Sequence, residues 1–290
     1  MAVPPGPVAI IAGGGGFPLE IAEAARACGR DVSIVALKGF AHRGLKRFPL
    51  VWADMLDPAR ILDTLRAVAP AAVVLAGSVT RPGPGAITSI FSAYRNRDHI
   101  AKVLAGGDDR ILRGVVQFIE EAGFHVVGAH EIAPALLAPL GAFAGREPTP
   151  AERADVERGL ALLAATGPYD VGQGVVVSSG RVLAVEGPEG TDAMLERVAG
   201  LIRRRRVVLD GAAAVLVKVP KRGQDTRVDL PAIGPRTVER GRAARIGAIA
   251  VAAAGVVVIE RATTVAAARD AGIALVGVKA GDFVEGHVPS

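Results

Sequence analysis

Asp229 is the residue in this sequence that most needs a partner. It stands between Val228 and the apolar run Leu230-Pro231-Ala232-Ile233-Gly234, and a carboxylate among apolar neighbours must be met by a cation or a metal. Just upstream, Lys218, Lys221, Arg222, Gln224, Asp225 and Arg227 alternate basic and acidic groups. The stretch Val185-Glu186-Gly187-Pro188-Glu189-Gly190-Thr191-Asp192 adds carboxylates at a helix start. Carboxylates that hold Mg²⁺ beside basic side chains that hold phosphate oxygens are the requirement for cleaving a diphosphate. An exposed, salt-bridged loop is the competing reading.

A second source of chemistry is Gly13-Gly14-Gly15-Gly16, which follows an apolar run and precedes a helical pattern. Backbone N–H groups there could cradle a phosphate with no Cβ in the way; a tight turn is the alternative. As a dinucleotide fingerprint the segment fails, because Pro18 or Leu19 falls where the third glycine belongs and Lys38 stands where an acid would hold the ribose. Four further segments gather small and polar residues: Gly77-Ser78-Val79-Thr80-Arg81-Pro82, Gly106-Gly107-Asp108-Asp109, Gly128-Ala129-His130-Glu131 and Asp170-Val171-Gly172-Gln173-Gly174. Each alone reads as a turn or a cap, with Asp108 capping the helix after it. Their joint position at strand ends points to one shared polar pocket.

The elements that must position these groups alternate strand and helix. Strands are expected at Val8–Ala12, Val32–Leu37, Ala72–Ala76 and Val126–Gly128, with helical patterns at 18–28, 59–68 and 108–122 between them. That order predicts a Rossmann-like parallel sheet with function at the carboxyl ends of its strands. Residues 134–150 carry Pro134, Pro139, Gly141, Gly145, Pro148 and Pro150, which reads as linker. The expected organisation is therefore an N-terminal domain over 1–133, a linker over 134–150 and a second α/β domain over 151–290. In the latter, a helix over 151–165 precedes a hairpin turning at Ser179-Gly180, and Thr191 is expected to cap a helix running to Arg203. A strand at 213–219 and further helices and strands from 236 to 278 complete the unit.

Composition narrows the function classes. Half of the 290 residues are hydrophobic, yet the longest apolar stretch, 246–259, is too short and too rich in glycine to span a bilayer. No signal-peptide pattern opens the chain, so it is expected in the cytoplasm. A single cysteine, Cys28, excludes an internal disulfide and a thiolate cluster, and its helical spacing predicts a buried small hydrophobe. The net charge of +5 favours anionic ligands, while 4% aromatic residues argue against nucleic acid, where stacking supplies much of the affinity. Arg203 to Arg206 reads as a helix C-terminus, with attraction to an anionic membrane surface as the other reading. No P-loop, nucleophile elbow or zinc-spaced histidine set is present.

Taken in order, Ile11-Ala12-Gly13-Gly14-Gly15, Gly77-Ser78-Val79-Thr80-Arg81-Pro82, Gly107-Asp108-Asp109, Gly128-Ala129-His130-Glu131, Asp170-Val171-Gly172-Gln173-Gly174, Glu189-Gly190-Thr191-Asp192-Ala193-Met194-Leu195 and Thr226-Arg227-Val228-Asp229-Leu230-Pro231 resemble the LpxI family. These are metal-dependent UDP-2,3-diacylglucosamine diphosphatases of lipid A biosynthesis. The resemblance covers about Val8 to Val278. It implies a Rossmann-like N-terminal domain, a second α/β domain, and a lipid-linked nucleotide sugar held in the cleft between them. It further implies Mg²⁺-dependent hydrolysis to 2,3-diacylglucosamine 1-phosphate (lipid X) and UMP, transient contact with the cytoplasmic face of the inner membrane, and no nucleic acid partner; homo-oligomerisation is left open.

In the family the Asp of R-V-D-L-P is the residue expected to be indispensable, and Asp229 holds that position, as metal ligand or as the group that orients water. Asp192 and Glu186 are the further metal candidates. Gly13, Gly14, Gly15, Ser78, Thr80, Arg81, Asp109, His130, Gln173, Gly190, Thr191, Lys218, Gln224 and Arg227 are expected to bind substrate. Gly83-Pro84-Gly85 departs from the family pattern. A nicotinamide-dependent oxidoreductase and a non-catalytic nucleotide-sugar or lipid-binding regulator remain as rivals.

Overall fold

The computed structural model describes residues 3–80, 108–169, 171–209, 213–221 and 225–279, with the side chains of 108–110 outside that description. These residues form two compact units. One comprises Met1–Pro134 together with Asp225–Asp229, and the other Ala135–Gln224 with Leu230–Ser290.

The first unit is built on β1 (Val8–Ala12), β2 (Val32–Leu37), β3 (Leu50–Ala53) and β4 (Ala72–Ala76) in the order β3-β2-β1-β4. All three pairings are parallel, which is the Rossmann arrangement expected from the alternating pattern. β1 is buried along its whole length, as a central parallel strand covered on both faces must be. The helices α1 (Phe17–Ala27), α2 (Pro58–Val68) and α3 (Asp108–Glu121) supply apolar stripes. Leu62, Leu65, Val116 and Ile119 pack with Ala9, Val35 and Val73 into one core cluster. Burying each such side chain is worth about 1.5–3 kcal/mol.

Two local expectations need correction, and one strand went unread. Val126–Gly128 forms no strand: only Val126 bridges Val73, because Gly128 already serves as N-cap of the one-turn helix α4 (Ala129–Ile132). Strand β3 had no signal in the sequence, since its four residues lie at a sheet edge and only Ala53 is buried. Cys28 is exposed; α1 ends at Ala27, so the cysteine lies past the last turn while Ile21, Ala22 and Ala25 take the buried face. Asp108 is the first described residue of α3, and its side chain, with the cap expected of it, lies outside the description.

The second unit holds β5 (Gly141–Ala144), β6 (Gly174–Ser178), β7 (Arg181–Val185), β8 (Ala214–Lys218), β10 (Ile246–Ala252) and β12 (Ala274–Val278) in the order β5-β12-β10-β8-β6-β7. The central strands β8, β10 and β12 are parallel, and antiparallel strands close both edges. Strand β5 lies inside the proline- and glycine-rich stretch read as linker. β9 (Ala232–Ile233) and β11 (Val257–Val258) form a separate parallel pair. Helices α5 (Pro150–Thr166), α6 (Gly190–Arg203), α7 (Pro235–Ala243) and α8 (Arg261–Ala271) complete the unit. α6 ends at Arg203, and the exposed residues 204–206 follow it. Among the described residues no helix is long and apolar enough to cross a membrane.

Candidate functional site

In the first unit the chemistry-bearing segments lie at strand carboxyl ends. The glycine loop after β1 backs onto the end of β4: Gly13 N–H donates to the Ala76 carbonyl at 2.8 Å and Gly14 N–H to the Ser78 carbonyl at 2.7 Å, with Ser78 N–H returning to Gly14 at 3.1 Å. A Cβ on Gly13 would meet the Ser78 carbonyl at 2.7 Å, and one on Gly77, whose φ is +92°, would meet the Gly14 carbonyl at 2.6 Å. These glycines permit two loops to touch. The amides of Gly13 and Gly14 are taken by carbonyls, so a phosphate cradle would centre on Gly15, whose Cβ position is open. Ser78 and Thr80 are exposed beside this junction.

The turn that carries Asp229 belongs to the same unit. Val228 and Asp229 N–H groups both donate to the Asp225 carbonyl, at 3.2 and 3.1 Å, and Val228 packs against the apolar cluster of α2, α3 and the sheet. The Arg227 guanidinium forks onto Asp225, Nε to Oδ1 at 3.0 Å and Nη2 to Oδ2 at 2.7 Å, while Nη1 donates to Glu120 Oε1 at 2.7 Å. The hydrogen bonds from Arg227 hold the Asp225 carboxyl below its ordinary range against the opposing effect of burial, and Asp225 in turn raises Arg227. Asp229 is half-buried.

Next to this turn, Gly128 donates to Glu131 Oε1 at 2.7 Å, which makes Glu131 a cap. A Cβ at Gly128 would fall 2.3 Å from His130 Cε1 and 3.3 Å from Arg227 Cα. His130 Nδ1 is buried with no hydrogen-bond partner among the described residues, which leaves one polar atom of the segment for a ligand.

The second unit brings Glu186, Thr191 and Lys218 together at one end of its sheet, where the register sets Gly174 opposite Lys218 and Val175 opposite Val185. Lys218 Nζ donates to Thr191 Oγ1 at 2.6 Å and Thr191 Oγ1 donates to Glu186 Oε2 at 3.0 Å; all three residues are buried. Thr191 therefore does not cap the helix as expected. The cap position is Glu189, and Gly190 at φ +81° precedes Thr191, whose hydroxyl lies between Lys218 and Glu186. Such a hydroxyl gives both buried polar side chains a hydrogen-bond partner. Gly172 and Gly174 leave room for Glu186, since a Cβ on either would fall 2.4 Å from one of its oxygens. The Gln173 carbonyl accepts from Val219 N–H at 3.0 Å.

Asp192 is ion-paired to Arg236 at 3.0 Å. Among the described residues no group of three or more His, Cys, Asp and Glu side chains gathers at metal-binding range. Asp229 lies in the first unit, and Asp192 and Glu186 lie in the second. Arg81, Asp170, Arg222 and Gln224 lie outside the described residues, as does the Asp109 side chain. Sequence reasoning missed Glu120, which meets Arg227 across 107 residues of chain; no spacing rule reveals such a pair.

A Rossmann-ordered sheet and a second mixed sheet, each with polar residues at strand ends, define a two-domain α/β protein. The family model for the LpxI N-terminal domain matches residues 7–136, and that for the LpxI C-terminal domain matches 139–276. The chain belongs to the LpxI family. It is 38% identical over 269 residues to UDP-2,3-diacylglucosamine pyrophosphatase LpxI of Caulobacter vibrioides, covering 93% of this chain and 96% of that protein. A solved structure of glycinamide-RNase-transformylase T from Mycobacterium tuberculosis aligns at 16% identity over 61% of this chain and 43% of that one, with a TM-score of 0.24, too slight a likeness to carry an argument.

Proposed function

We propose that this protein hydrolyses the diphosphate of UDP-2,3-diacylglucosamine to UMP and 2,3-diacylglucosamine 1-phosphate, a step of lipid A biosynthesis. The observation that carries the reading is the 38% identity over nearly the whole length of a pyrophosphatase of that name, with Asp229 in the R-V-D-L-P position. In the reaction, a water oxygen bonds to one phosphorus as its bond to the bridging oxygen breaks, the bridging oxygen leaves with the other phosphate, and the water's proton passes to a product phosphate or to solvent. Asp229 accepts a hydrogen bond from that water and orients it. The work is mostly positioning and charge neutralisation, so no covalent nucleophile is required.

Lys218, with Arg81 and Gln224, neutralises and holds the diphosphate, and Gly15, Ser78, Thr80, Asp109, His130, Gln173, Gly190 and Thr191 complete the binding set. The family resemblance supports Mg²⁺ dependence, with Asp229, Asp192 and Glu186 as the candidate ligands, and the metal would supply charge neutralisation at the diphosphate. The lipid substrate gives a reason for transient contact with the cytoplasmic face of the inner membrane. Incubation with UDP-2,3-diacylglucosamine in detergent, with products followed by mass, should yield equal amounts of UMP and the sugar 1-phosphate. Loss of both in EDTA and recovery on adding Mg²⁺ would support the metal. Intact substrate despite binding would move the assignment to a nucleotide-sugar-binding regulator.

A further inference from the structure

Arg227 stands beside Asp229 in a family whose proposed substrate is a diphosphate, which makes it an obvious phosphate ligand. Its surroundings say otherwise. Each of its three side-chain nitrogens donates to a carboxylate of this chain: Nε and Nη2 to Asp225, and Nη1 to Glu120. A guanidinium held by a bidentate carboxylate and a second acid has most of its charge compensated and its fork fixed. The backbone N–H of Arg227 also donates to Asp225 Oδ1 at 3.0 Å, so the same carboxylate closes the turn at both ends of the arginine.

The consequence falls on Asp229. Its amide and that of Val228 bond to the Asp225 carbonyl, so the path of the Asp229 backbone depends on where Asp225 is held. Glu120 lies in the last turn of α3, a helix anchored in the core through Val116 and Ile119. Val228 is seated against that core cluster, and the backbone of Arg227 passes within 3.3 Å of the point a Gly128 Cβ would occupy. Arg113 adds a further positive charge that acts on Asp225.

We infer that Glu120, Arg227 and Asp225 form a clamp that fixes the Asp229 turn on α3, so that Arg227 is a positioning residue and not a phosphate ligand. The link from clamp to turnover rests on the proposed role of Asp229. The clamp itself rests on geometry alone.

Two variants separate the readings. Arg227→Lys keeps the charge and loses the fork, and Glu120→Gln removes one anchor without touching the turn. For a clamp, both lower kcat by about 10-fold or more, because small misplacements of a reacting group are costly, while KM stays within about two-fold. Hydrogen exchange of the peptide spanning 225–231 speeds up in both variants. The double variant loses less than the product of the single losses, as residues of one network do. For a phosphate ligand, Arg227→Lys raises KM, and Glu120→Gln leaves kcat and exchange unchanged or tightens binding by freeing the guanidinium; that result overturns the inference. If the unmodified protein releases no UMP, the activity assignment fails, and exchange in the two variants alone decides the clamp: faster exchange supports it and unchanged exchange overturns it.

Discussion

The Thr191 hydroxyl bridges two buried side chains, accepting from Lys218 Nζ and donating to Glu186 Oε2. Removing it by Thr191→Val leaves the buried Lys218 and Glu186 each short of a hydrogen bond, at a cost of about 1–3 kcal/mol, readable as a lower urea midpoint; Thr191→Ser should restore most of it. Asp225 offers a test by pH. Arg227 holds its carboxyl low, so the native state binds fewer protons there than the unfolded chain. The stability it contributes is complete above the unfolded value of about 4 and fades as pH falls through the lower folded value. Urea melts at pH 7 and at pH 3 should show Asp225→Asn much weaker than the unmodified protein at pH 7 and closer to it at pH 3. An equal deficit at both would show that the carboxylate's charge contributes nothing. The suspicion about Asp229 could be read from its apolar flanks; the Glu120–Arg227 pairing could not, because two residues so far apart meet only once the fold exists.

Among the elements, the ββ-hairpin was the most legible. Ser179 and Gly180 have φ of 50° and 75°, the pair of positive values that a two-residue turn of this hand needs. The sequence does not show what holds the turn. Asp155, on α5, accepts from Ser179 N–H at 2.8 Å and from Gly180 N–H at 2.6 Å, and the carboxylate is buried. Asp155→Ala leaves both amides without that acceptor and should lower stability by about 2 kcal/mol, seen in thermal melts as a shift of a few degrees; an unchanged melt would mean water replaces the carboxylate. Elements with continuous apolar runs, such as β1, β2 and β4, were read to the residue. The failures were short or marginal: β3 and β5 have four residues each and sit at sheet edges, so neither carries a full alternation of buried and exposed positions.

At the scale of the whole molecule, the alternation of strands and helices made the Rossmann-like first sheet legible, whereas the assignment of Asp225–Asp229 to that first unit was not. Local pattern reports what a segment is and not which core receives it. The glycine loop likewise read as a phosphate site from its composition, but the Gly13 and Gly14 amides face the carbonyls of Ala76 and Ser78. That geometry, with the missing third glycine, predicts no thermal shift on adding NAD or NADP; a clear stabilisation would reopen the oxidoreductase reading. The central claim is that a diphosphatase reaction turns on Asp229. The most direct measurement is UMP release from UDP-2,3-diacylglucosamine by the unmodified protein and by Asp229→Ala, each shown to be folded by its melting curve. Release by the first and a loss of about 100-fold or more in the second is the predicted result, the scale expected when a positioning group for the attacking water is removed; near-normal release by folded Asp229→Ala would contradict it.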